Sequence, residues 1–150
     1  AREERVRERM RARHTSPGGV KSIMTALEKV GSEVAFENGM RMLSLRDYDG
    51  AVRSLDEAVR LAPHMAHYYP PLAQALLAGP DGGPEELDRA LKVLKRAVAV
   101  DPDRGEPYHW LGVVLLRMGH RDEARLTLRR ALDLGSAHDD ETRTVLAGLS

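Results

Sequence analysis

The 150-residue sequence has no cysteine, a single tryptophan, a single phenylalanine and no net charge, 23 basic residues being matched by 23 acidic ones. Without cysteine there are no disulfides, thiolate metal sites or Cys nucleophile. Balanced charge leaves no overall field to gather nucleic acid or anionic lipid. No apolar run approaches the ~18 residues of a membrane span and no signal-peptide pattern occurs, so a cytoplasmic location is expected. The chain begins with Ala1 rather than Met and is expected to be part of a larger protein. Its length suits one domain, long enough to bury about two-thirds of its unfolded surface.

What the sequence does have is small residues at regular intervals. In "HWLGVVLLRMGHRDEARLTLRRAL" apolar residues recur at three- and four-residue steps, and "MGHRDE" supplies a Gly stop followed by a charged start. This predicts two helices, about 106–118 and 121–134. Gly112, Ala124 and Ala131 are separated by 12 and 7 residues, and Gly39, Ala51 and Ala58 repeat both steps. Ala73, Ala90 and Ala97 keep the 7 and stretch the 12 to 17, the excess coinciding with the turn-forming "GPDGGP" at 79–84. Leu55, Leu94 and Leu128 follow the middle small residue by four positions, Leu61, Val100 and Leu134 by ten, and Pro63, Pro102 and Ser136 mark the helix ends.

This pattern resembles the tetratricopeptide repeat (TPR), a helix-turn-helix unit of 34 residues. The resemblance covers about residues 32–136 and is best in the third copy, with its aromatic Tyr108, Leu111–Gly112 pair, turn glycine Gly119 and two alanines. The first copy departs at Asn38 and has Arg46 in place of the turn glycine. The expected fold is all-α, a TPR-type α-solenoid of antiparallel helix pairs with N- and C-terminal capping helices. Its parts are an Arg-rich arm or linker (1–16), an N-terminal capping helix (17–31), repeats at 32–65, 66–104 (loop insertion 79–84) and 105–138, and a C-terminal capping helix (139–150). Gly31 should end the first cap, whose Val20, Ile23, Met24, Leu27 and Val30 should pack on the first repeat. Residues 68–71, "YYPP", should make the second repeat's first helix start late or kink, opening the middle of the groove.

The sequence offers little chemistry. His64, His67 and His109 are the histidines considered as metal ligands, but no H-E-x-x-H or comparable spacing accompanies them, and no metal or cofactor is expected. "GPDGGP" lacks the ending of a phosphate loop, and no nucleophile elbow occurs, so no catalytic residue is assigned. The resemblance implies instead a concave surface, lined by the first helix of each repeat, that holds a partner. By phase it would consist of Glu33, Phe36, Met40 and Leu43; His67, Pro70, Gln74 and Leu77; and Glu106, His109, Trp110, Val113 and Leu116. Some TPR domains grip a C-terminal carboxylate with a Lys/Asn/Arg clamp; the corresponding residues here are Phe36, Met40, Pro71, Glu106 and Trp110, so no such ligand is expected. The expected role is a non-catalytic module, a scaffold, adaptor or chaperone-like protein of bacterial type. It would bind an apolar helical or extended protein segment, as a monomer or weak homodimer. The alternative is nucleic-acid association through "AREERVRERMRAR", whose six Arg and three Glu give +3.

Overall fold

The structure is a computed structural model describing residues 1–15, 17–79 and 82–149, the side chains of 12–17 excepted. Among them are α1 (Arg2–Thr15), α2 (Pro17–Ser44), α3 (Tyr48–Leu61), α4 (Tyr69–Ala78), α5 (Pro84–Val100), α6 (Gly105–Arg117), α7 (Arg121–Leu134) and α8 (Asp139–Gly148). A 3₁₀ turn, Ala66–Tyr68, precedes α4. Helices α2/α3, α4/α5 and α6/α7 pack as successive pairs, each pair on the next, and α8 closes on α7. The chain is thus an all-α solenoid.

The small residues sit where helices touch. A Cβ on Gly39 would come within 2.5 Å of Leu55 Cγ, and one on Gly112 equally close to Leu128 Cγ. Ala51, Ala58, Ala90, Ala97, Ala124 and Ala131 have no exposed surface, so each contact is sealed. The turns repeat as well. Tyr69 donates its hydroxyl to the Pro63 carbonyl at 2.5 Å, and Tyr108 donates to Pro102 at 2.8 Å. In both, a tyrosine six residues beyond the helix-ending proline ties the next repeat to the last.

Four expectations need correction. Gly31 does not end a helix: α2 runs from 17 to 44 without a break. Glycine costs about 1 kcal/mol inside a helix, but Gly31 lies against α3, where a Cβ would meet Leu61 Cδ1 at 3.3 Å. Residues 17–31 are therefore no separate cap, and Val20, Ile23, Met24, Leu27 and Val30 are 44–65% exposed. The prolines at 70 and 71 do set a late start, being tolerated in a first turn whose amides have no helical acceptor. They open no gap, however, since Tyr68, Tyr69, Pro70 and Pro71 are all buried. Finally, Pro84 belongs to α5 rather than to the loop; Pro80 and Asp81 of that loop lie outside the described residues.

Candidate functional site

The first helices of the pairs, α2, α4 and α6, lie side by side. On α2 the residues Phe36, Met40 and Leu43 are spaced four and three apart and so share one face; Val113 and Leu116 do the same on α6, beside Trp110. All six are partly exposed, Met40 at 37%. His67 and Gln74 are partly exposed between them. Two aromatic nodes mark this face. Phe36 stacks on Tyr68 with centroids 4.7 Å apart, and His67 meets both rings edge-on. The node is anchored by Ser32 Oγ, 3.2 Å from the Tyr68 hydroxyl. Burial, and the nearby Arg104 guanidinium, hold the His67 imidazole below its ordinary pKa.

The second node joins α6 to α8. His109 stacks on His138 (4.8 Å, 7° between planes), and Trp110 meets both edge-on. The Trp110 indole Nε1 is buried and has no hydrogen-bond partner among the described residues. Burial, with the neighbouring His138, lowers the His109 pKa against the opposing pull of Glu141, Glu106 and Asp139.

Three of the residues expected on the open surface are not there. His109 is 2% exposed, covered by the protein's own α8; Pro70 and Leu77 are buried in the core. Each occupies the position that the repeat phase gives to the concave face. Phase alone cannot tell that Pro70 lies in a first turn packed inward, or that α8 folds over His109. Residues the sequence reading missed are His138 and Glu141, which with His109 form the one group of possible metal ligands found among the described residues. A signal was present: "EPYH" at 106–109 and "HDDE" at 138–141 each place a carboxylate and an imidazole three apart, one helical turn. His64 and His67 take no part in that group.

Comparison with known proteins agrees with this architecture. Residues 84–147 match the family model described as tetratricopeptide repeat. The small glutamine-rich tetratricopeptide repeat-containing protein 2 of Saccharomyces cerevisiae is 28% identical over 96 residues, 64% of this chain and 26% of that protein. The chain thus spans about a quarter of the length of that curated relative. A thermophilic TPR protein from Thermus thermophilus superposes with a TM-score of 0.68 at 28% identity, over 79% of this chain and 63% of the other. The first TPR of Spaghetti (RPAP3), solved bound to HSP90 peptide SRMEEVD, gives 0.71 at 18% identity over 81% and 91%, a likeness of fold alone.

Proposed function

On the premise that the chain carries a tetratricopeptide-repeat domain, we propose that it is a non-catalytic protein-interaction module whose concave face holds an apolar segment of a partner. The observation that carries this is the row of partly exposed apolar side chains on α2 and α6, Phe36, Met40, Leu43, Trp110, Val113 and Leu116. Met is an adaptable packing surface and Trp a frequent binding anchor. An amphipathic helix or an apolar extended stretch fits such a face. The relative solved with SRMEEVD holds a peptide ending in a carboxylate, whereas this face offers Phe36, Met40 and Glu106 where clamp residues would be required. A C-terminal carboxylate is therefore not the proposed ligand.

The test is selection from a displayed peptide library, with SRMEEVD as the comparison probe. Apolar sequences should be enriched, and Val113→Glu and Met40→Glu should each weaken their binding at least tenfold, because the carboxylate would be desolvated without a partner. Both variants should melt within a few degrees of the parent. Preferential capture of SRMEEVD, or binding of the selected peptides unchanged by both substitutions, would rule the reading out.

A further inference from the structure

His109 on α6 and His138 and Glu141 at the start of α8 each bring a ligand atom to within 4.8 Å of the other two. Their hydrogen bonds determine what those atoms present to one another. His109 Nδ1 lies 2.7 Å from Thr142 Oγ1, and the Thr142 hydroxyl donates to the His138 carbonyl at 2.9 Å. With its proton so used, Thr142 Oγ1 accepts, and the His109 proton sits on Nδ1. Nε2 is left as a bare lone pair in a ring 2% exposed, facing Glu141 Oε2 at 3.7 Å, beyond hydrogen-bonding reach. His138 lies between two carboxylates. Its Nε2 is 3.5 Å from Glu106 Oε1 and its Nδ1 3.6 Å from the same Glu141 oxygen. With the His138 proton on Nε2, the tautomer that leaves Nδ1 free to bind, two imidazole nitrogens and a carboxylate oxygen would face one another as three acceptors. Three acceptors facing one another repel unless a cation stands among them.

We propose that His109 Nε2, His138 Nδ1 and Glu141 Oε2 bind a divalent transition-metal ion, zinc being the best match, with Glu106 and Thr142 as the outer partners that orient the two imidazoles. Two nitrogens and one carboxylate are a zinc donor set, whereas calcium and magnesium take oxygen ligands. In a tetrahedral zinc site the ligand atoms are about 3.4 Å apart; the 3.7 and 3.6 Å separations from Glu141 are close to that, and the two imidazole nitrogens, within 4.8 Å of each other, must close further. The stacked rings must change more. An ion lies in the plane of an imidazole that binds it, so His138, which caps α8 and is 23% exposed, turns out of its stack on His109. Thr142 makes room for this. It stands six residues after Ser136, where the earlier repeats have Tyr69 and Tyr108 six residues after their prolines. Its short side chain reaches His109 Nδ1 as well as the His138 carbonyl. The ion would link α6 to α8, with a fourth position open to water.

The test uses the whole protein, stripped with a chelator and titrated with ZnCl2, or with MgCl2 as the control, at pH 7.5. Calorimetry should show one zinc bound with micromolar or tighter affinity, and the melting temperature should rise with zinc and not with magnesium. Glu141→Gln and His138→Ala should each weaken binding at least tenfold, and Thr142→Val should weaken it about tenfold through the lost orientation of His109. A His64→Ala/His67→Ala variant should bind as the parent does. Glu141 is 67% exposed and Gln has the same shape, so that variant folds and keeps the test decisive. Absence of binding at millimolar zinc, or binding that persists unchanged in Glu141→Gln and His138→Ala, would overturn the proposal.

Discussion

The two ends of this solenoid are finished in opposite ways. At the C-terminal end α8 lies back on α7: Thr142 is fully buried, Leu149 is 5% exposed, and Arg125 Nη2 donates to the Leu149 carbonyl at 2.7 Å. At the N-terminal end the first half of α2 continues outward from the first repeat, and Leu27 and Val30 are 65% and 58% exposed. Both segments have an apolar stripe at helical spacing. What differs is the glycine that joins each to its repeat. Gly135, with φ of 79°, turns the chain after α7 so that α8 can fold back. Gly31 keeps helical geometry, so the residues before it are carried straight on, away from the surface they would otherwise cover. A stripe becomes a cap only where a turn lets it return.

The comparison can be broken most sharply with one substitution made at both ends. Gly112→Leu should unfold the domain or cost more than about 3 kcal/mol, because even a Cβ there collides with Leu128. Gly18→Leu, where a Cβ meets nothing within 4 Å, should change stability by less than about 0.5 kcal/mol. Chemical denaturation of both variants measures the difference, and equal effects would mean that α2 packs along its whole length.

Truncation comes next in size. Removing 139–150 strips Leu149 and Thr142 from the core and bares His109, at a cost of about 3 kcal/mol. Removing 1–28 should leave the melting temperature nearly unchanged. A drop for the second deletion as large as for the first would contradict the view that only one end is capped.

Acid should loosen the structure through its two aromatic nodes. His67 and His109 have lowered pKa values in the fold, so below pH ~6.5 the unfolded chain takes up protons that the folded chain refuses. Their contribution is complete above that pH and is lost as pH falls towards the folded values. Metal-free melting temperatures should therefore decline between pH 7.5 and 5.5. The slope should be reduced in His109→Asn, which has no group titrating there.

The smallest effect concerns a turn. Arg46 stands where the third repeat has Gly119, and it adopts φ of 59° against 86° for the glycine. A non-glycine residue in that region is strained by about 1–2 kcal/mol, partly offset by the greater chain entropy of glycine when unfolded. Arg46→Gly should thus stabilise by about 0.5 kcal/mol in urea melts, whereas Gly119→Arg should destabilise.

The helix pairs and their contacts follow from residue types and their spacing. The 12- and 7-residue steps from Gly112 to Ala131 and from Gly39 to Ala58 are legible because a close helix crossing admits only small side chains, a constraint carried by residue type at fixed spacing. Prolines 63 and 102 likewise show where helices stop, since a missing amide acts locally. Which face of each helix is covered follows instead from the folded path of the chain. Val20 to Val30 and Thr142 to Leu149 have the same periodicity, yet the first stripe is exposed, whereas the second is buried at Thr142 and Leu149 and half-buried at Val145 and Leu146. His109 and Val113 share a predicted face, but α8 closes over the first and leaves the second partly exposed. Periodicity reports that a helix has an apolar side. What lies against that side depends on the path of the chain beyond the next turn, as when Gly135 and Ser136 return α8 to set His138 and Glu141 beside His109.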